Sequence, residues 1–376
     1  MYDFGNFDLS HSGFRGAEIS TRFGVWGARF VIIGAHLEMD SHFDELCFDF
    51  ENTQEFFFPQ GFVDFVHYKE GEIFSADFQE GKISVENSSS FKMLPNDLSS
   101  ILLSDNPKVM QELQDKWDEI RSKYENETLM FKSSLKYYYR LKKKRRDSIE
   151  SLITSMFDLA NLMALLMYVP TFAKEVTLID RREDEKAKSY PVLISYGLSE
   201  RTLSLATRER HHFHLPLTSK NVDLEKAIVE WIRLSSGYSS VVSSIQNETG
   251  FISEHESHSD IVLFSTQLEE INRKIGGSRK EKYENPITSI GSSRMKALLA
   301  HKLAVRDSES IGSRVGALRN EIAHVGKPKS LLEIISTRDQ AIIAVCLKLI
   351  VQSHILSEIG IHKSLIHEYQ DFYLPS

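Results

Sequence analysis

Residues 318–326 read Leu-Arg-Asn-Glu-Ile-Ala-His-Val-Gly. Upstream of them, Ile311, Val315, Leu318 and Ile322 step by four, three and four, which draws one apolar stripe along a helix. Gly326 and Pro328 are stop signals just past the last turn. The spacing predicts a helix over 308–325. Asn320 and His324, four apart, share a face of that helix. Arg319 projects roughly 100° further round. One helix end therefore gathers a permanent cation, an amide and an imidazole. Taken alone this is ordinary chemistry, because Arg and His often sit near helix C-termini, where they meet the last carbonyls.

Outward from this segment the second half of the chain is helical. Apolar residues at helical spacing predict helices over 223–236, 258–275, 287–305 and 335–360. The Gly-rich, charged stretch 276–286 is expected at the surface. The first hundred residues differ in texture, holding 16 of the 23 Phe. Short aromatic and β-branched runs, at 28–35, 45–50, 61–68 and 72–78, suit a pleated, half-buried surface. Residues 82–85, after Gly81, read as the return strand of a hairpin. Helical insertions follow at about 108–130 and 147–169, the second with Asp147 as N-cap. Strand-like pieces cover 134–141, 175–179, 191–196 and 212–217. The fold class is thus α+β: a β-rich region over 1–220, then an all-α bundle over 221–376. The run 152–169 is apolar, but Asp158 and Asn161 interrupt it and it is short for a membrane span. A buried helix is expected there, and no membrane association.

The chain has 376 residues and a formal charge of −8, which on its own argues against a nucleic-acid partner. The charge is unevenly spread. Residues 1–100 carry a net −11, and residues 271–330 a net +8. Phosphates respond to local potential, so the basic stretch matters more than the total. The acidic region is a candidate cover for the basic one. Two cysteines, Cys47 and Cys346, stand in no metal-like spacing. No basic-then-apolar leader opens the sequence, so a cytoplasmic location is expected.

The segment Arg319-Asn320-x-x-x-His324, flanked by Leu318 and Gly326, resembles the signature of HEPN ribonucleases: Arg, a polar residue, and His a turn or so downstream. Residues 261–275 are similar to a helix of ApeA-type HEPN proteins with a Gln-Ala-Leu-Glu core, with Leu268 where Ala is expected. Residues 222–234, with Trp231, resemble the Trp-bearing helix that opens the helical part of that family. The resemblance implies a β-rich N-terminal region that senses a phage-derived trigger, ahead of a helical HEPN region. It implies metal-independent RNA cleavage by 2′-OH attack, leaving 2′,3′-cyclic phosphate and 5′-OH ends, in abortive anti-phage defence. Arg319, Asn320 and His324 would be catalytic, in a cleft shared by a homodimer. No cofactor is implied. Arg279, Lys280, Arg294 and Arg314, within the basic stretch, are candidates for contact with RNA phosphates. Glu269 and Glu321 are further polar candidates without an assigned role. The alternative is a non-catalytic module of the same type that binds RNA, nucleotide or protein.

Two weaker signals stand apart. Residues 136–146 interleave seven cations with three Tyr, a pattern that suits single-stranded RNA or a solvated charged turn. His211, His212 and His214 have ligand chemistry, but no acidic or thiol partner is close in sequence, so no metal is expected.

Overall fold

A computed structural model describes residues 6–374 apart from 16–17, 28, 35–36, 38–39, 58–70, 88–89, 125–129, 135–136, 182–186, 199, 209, 249–252, 325 and 327–328. The elements of the first part are β1 (Asn6–Arg15), β2 (Glu18–Gly27), β3 (Phe30–Ile32), β4 (His42–Phe50), α1 (Thr53–Phe56), β5 (Gly71–Phe78), β6 (Gly81–Asn87), β7 (Ser90–Met93), α2 (Pro107–Lys123), β8 (Met130–Ser134), β9 (Tyr137–Ser148), α3 (Ile149–Met167), β10 (Ala173–Asp180), β11 (Lys188–Ile194) and α4 (Glu200–Ala206). Helices follow: α5 (Leu224–Gln246), α6 (Glu254–Lys274), α7 (Glu284–Ile290), α8 (Ser293–Lys302), α9 (Ile311–Ala323), α10 (Ser330–Ile334), α11 (Thr337–Glu358) and α12 (Lys363–Tyr373).

Seven strands form an antiparallel sheet in the order β3–β11–β10–β4–β9–β6–β5. Strand alternation decides its two faces. In β4, Leu46, Phe48 and Phe50 are buried on the inner face, and in β9 Tyr139 and Leu141 join them. Phe48 and Tyr139 stack with ring centroids 5.5 Å apart. The opposite face is a charged ladder. Arg140 donates to Glu45 (2.5 Å) and Glu86 (2.6 Å), and Lys174 pairs with Glu51 (2.8 Å). The acidic side chains of this face are matched by cations of the same sheet.

Residues 137–146 of the cation-rich segment therefore belong to a central strand, and Lys136 lies outside the described residues. Tyr137 and Tyr139 are core residues, while Lys143 meets Glu80 and Arg146 meets Asp180. A strand thus stands where a solvated turn was expected, and Tyr137 and Tyr139 are not free to stack on RNA bases. The expected strand 134–141 is in fact two, β8 and β9, and segment 61–68 lies outside the described residues. The β5–β6 hairpin forms as expected, with Phe78 opposite Gly81.

Helix α3 covers the inner face. Ser148, not Asp147, is its N-cap: Ser148 Oγ accepts from Ser151 N–H at 3.3 Å, and the Asp147 carboxylate takes the Ser151 hydroxyl at 2.6 Å. Leu152, Met156, Leu162 and Leu166 are fully buried. Each such side chain contributes about 1.5–3 kcal/mol by leaving water. By length and composition α3 and α11 are apolar enough to cross a membrane, yet protein covers most of both. The buried-helix reading of 152–169 stands. On its far side α3 meets the helical part. Trp231 of α5 donates its indole N–H to the Asp158 carbonyl (2.6 Å), and Tyr369 of α12 donates to the Leu165 carbonyl (2.9 Å).

Helix α11 is the axis of the helical part, apolar nearly all round, as a helix enclosed by others must be. Ile343, Leu347, Ile350 and Leu356 are fully buried in it. Three of its buried polar groups are answered, Gln340 by His258 (2.8 Å), Ser353 by Gln370 (2.8 Å) and Lys348 by Glu248 (3.1 Å), whereas the Gln352 amide and His354 Nε2 are buried with no partner among the described residues. The predicted helix 287–305 is broken at Gly291, whose backbone is extended (ψ 138°), and Ser292 caps the new helix α8. The expected strand 212–217 is absent: residues 212–214 make a single 3-10 turn.

Candidate active site at the end of helix α9

Helix α9 begins with a capping box, Ser310 and Ser313 bonding each other's backbone N–H. Its docking is set by two glycines four apart. A Cβ on Gly312 would stand 2.4 Å from the Glu284 backbone nitrogen, and one on Gly316 would stand 2.9 Å from the Tyr283 ring. The Glu284 carboxylate accepts the Gly312 N–H at 2.5 Å. Val315 and Leu318 point into the core. The glycine face thus lies directly on residues 283–284, and Arg319, one turn beyond Gly316, is brought within electrostatic reach of Glu269 on α6.

This close approach is testable. Gly312→Ala must push α9 away from backbone atoms that cannot yield, and is expected to cost about 1–3 kcal/mol. Gly237 in α5 is the matched control, because a Cβ there meets nothing within 4 Å. Gly237→Ala should stabilise by about 0.5–1 kcal/mol through helix propensity. Urea unfolding midpoints read both, and equal shifts for the two substitutions would refute the tight docking.

The polar groups then sort themselves. Arg319 is half-buried, its Nη1 3.3 Å from Asn320 Oδ1 and its Nε buried with no partner among the described residues. His324 is the C-cap. Its N–H still bonds the Asn320 carbonyl (3.2 Å), but its backbone is already extended (φ −115°, ψ 117°). It therefore stands one step beyond the last helical turn rather than within it. Its imidazole is exposed, with no hydrogen-bond partner among the described residues. Lys329 holds the chain exit by donating to the carbonyls of Glu321 and His324.

Glu321 is a structural cap. Its carboxylate accepts from Leu331 N–H (2.9 Å), Leu332 N–H (3.2 Å) and Ser330 Oγ (3.0 Å), which fastens the start of α10. Glu269 is different. Lys282 Nζ (2.8 Å) and the Tyr283 hydroxyl (2.5 Å) both donate to its Oε1. Burial alone would raise this carboxyl, but those hydrogen bonds, with the charges of Lys282 and Arg319, hold it below its ordinary range. Tyr283 is shifted upward, first by burial and then by donating to Glu269. Tyr283 carries no signal in the sequence, since its partners come from α6 and α9.

Beside Glu269 lies an open groove of about 800 Å³, lined among others by Gln267, Asn272, Arg273, Arg279 and Lys282. Asn272 shapes its end: it donates to the Ser278 carbonyl (3.0 Å), and a Cβ on Gly277 would stand 1.9 Å from its Oδ1. Arg279 and Lys280 are exposed at this loop, and neither side-chain cation has a partner among the described residues. Arg294 and Arg314 are placed otherwise. Arg294 donates to the carbonyls of Asp371 (2.8 Å) and Leu374 (3.3 Å). Arg314 donates to those of Leu303 (3.0 Å) and Ala304 (2.9 Å) and pairs with Glu309 (3.4 Å). Both guanidinium groups are engaged with this chain's own helix ends. The two thiols are poor nucleophiles: burial pushes Cys47 up to about 11 and Cys346 up to about 12.

A β-rich first part joined to a helical bundle with Arg-Asn-x-x-x-His at a helix end defines a HEPN-type protein, a class of generally ribonucleolytic domains. Residues 6–231 match the family model described as ApeA N-terminal domain 1, and residues 243–365 match the one described as Apea-like HEPN. The chain belongs to the ApeA-like HEPN family. No curated protein and no solved structure matches it. The limits of the two matches both fall inside α5.

Proposed function

We propose that this chain is a metal-independent endoribonuclease of anti-phage defence, acting as a homodimer in the cytoplasm. The observation that carries this reading is the end of α9. Inside the HEPN-matched region it carries an exposed His324 and, five residues earlier, an Arg319 whose Nε is unpaired among the described residues and whose charge reaches Glu269, a wall of the groove edged with Arg279 and Lys282.

In this reading His324 takes the proton from a ribose 2′-OH as general base. The freed oxygen attacks the adjacent phosphorus, the P–O2′ bond forms and the P–O5′ bond breaks. The products are a 2′,3′-cyclic phosphate and a 5′-OH. Arg319 offers a planar fork to the phosphate oxygens, where negative charge builds up in the transition state. Asn320, bonded to Arg319, keeps that fork aimed. A single α9 supplies one imidazole, so the leaving 5′-oxygen takes its proton from the partner subunit's His324, across a two-fold axis that juxtaposes identical helix ends. Arg279 and Lys280 hold flanking phosphates. The sheet region senses the phage-derived trigger.

The test is an RNA with a single 2′-deoxy substitution at a mapped cut site. Cleavage there should cease while neighbouring sites are still cut. Cutting at the substituted position refutes 2′-OH attack, and binding without any cleavage of the unmodified RNA makes the protein a non-catalytic RNA binder.

A further inference from the structure

The fold supplies what the histidine-rich segment 211–214 lacks in sequence, an acidic partner. Glu55 of α1 and His211 and His212 come together, with one ligand atom from each lying within 4.8 Å of the others. Glu55 Oε2 lies 3.2 Å from His212 Nδ1. Four ligands around a zinc ion at about 2.0–2.1 Å stand roughly 3.3 Å apart along each edge of the tetrahedron. The Glu55–His212 pair already has that separation, and a ligand atom of His211, which is exposed on the surface, lies within 4.8 Å of both.

The backbone beneath is fastened independently of any ion. Asn52, in the left-handed conformation (φ 62°), accepts from Arg210 N–H (2.8 Å) and donates to the Arg208 carbonyl (3.3 Å). The His212 N–H donates to Glu55 Oε2 (2.9 Å), and the Ser219 N–H to the Phe56 carbonyl (3.0 Å). Two segments 157 positions apart are thus held in register at the ligand atoms. Pre-fixed ligands lose little freedom on binding, which favours affinity.

We propose that Glu55, His211 and His212 form a divalent transition-metal site of the zinc class, with three protein ligands and a fourth position open to water. Two imidazoles and one carboxylate are the donor set that zinc accepts, whereas calcium and magnesium call for oxygen donors throughout. His214 lies outside the cluster and is not a ligand. The ion would clamp α1 to the loop before α5. It takes no part in the RNA chemistry proposed at α9, so loss of one function leaves the other intact.

The experiment uses the full chain, stripped with a chelator and then titrated with zinc against a chromophoric competitor. One equivalent should bind. His211→Ala and Glu55→Gln should each weaken binding by about tenfold or more, as loss of a ligand does. Gln at 55 still accepts the His212 N–H, so the loop stays docked. His214→Ala should bind like the parent. Substituted cobalt should show the intense visible bands of a four-coordinate ion in the parent, and none in His211→Ala. Zinc should also raise the melting temperature of the parent and leave His211→Ala unmoved. The proposal is overturned if the parent binds no better than His211→Ala, or if His214→Ala weakens binding as much as His211→Ala.

Discussion

Purified Arg319→Ala and His324→Ala proteins are expected to cut RNA at least about a hundredfold more slowly than the parent, since a positioned acid–base group or a donor at a developing anion is worth that much. Both should fold normally. The Arg319 side chain bonds only its neighbour Asn320 among the described residues, and the His324 imidazole bonds none. For the exposed His324 the change in stability should be roughly 0.5 kcal/mol or less. Lys at 319 keeps the charge but loses the planar fork and should recover little activity. Asn320→Ala should cost less than either, because Asn320 acts through Arg319. Cleavage of a labelled RNA, with urea unfolding as the control for folding, reads all four. Parental activity in either alanine variant would end the assignment of the site to α9.

The largest effect on stability is expected at Trp231. Its indole is 1% exposed, lies between α5 and α3, and donates to the Asp158 carbonyl. Trp231→Ala empties a large volume that the helices on either side cannot fully close, and should cost about 3–5 kcal/mol. Trp231→Phe retains most of the packing and forfeits the hydrogen bond, about 1 kcal/mol more than its lost area. Urea denaturation followed by far-UV circular dichroism measures both. A loss under 1 kcal/mol for the alanine variant would mean that α5 does not rest on α3 in the way described.

Much of this architecture is legible in the amino-acid sequence. The alternation Leu46, Phe48, Phe50, the hairpin around Gly81 and the four-three-four apolar stripe of α9 are local patterns, and local periodicity is what a chain displays openly. The α9 motif that carries the family resemblance is equally local. What stays hidden depends on partners distant in sequence. Segment 136–146 looks like a charged tract because Glu45, Glu80, Glu86 and Asp180, which pair with its Arg140, Lys143 and Arg146, come from other strands and from the turn before β6. Helix α12 escapes the helical pattern drawn from the sequence, although Ile366, Tyr369 and Gln370 are buried beneath it. Gly291 resembles a tolerated residue inside one helix and in fact divides two. In the candidate site Arg319, Asn320 and His324 are legible as a motif. Tyr283 is not, because only the docking of α9 through Gly312 and Gly316 shows where it stands. Glu55 gives no hint of its place beside His212. The roles of Arg294 and Arg314 are equally invisible, since a cation that ends a helix and one that waits for phosphate look alike in a one-dimensional string.

Helix α3 takes the sheet on one side and Trp231, Tyr369 and Tyr373 on the other, and the family boundary runs through the continuous helix α5. The two halves are therefore not beads on a string. They own one beam in common, so a load applied at either half is felt by the other without any hinge or tether to carry it. Evolution could not exchange the sheet-bearing half for another by simple recombination at a linker. A replacement would have to bring its own α3, already shaped to fit an indole and two phenols, which ties the inheritance of the sheet to that of the bundle.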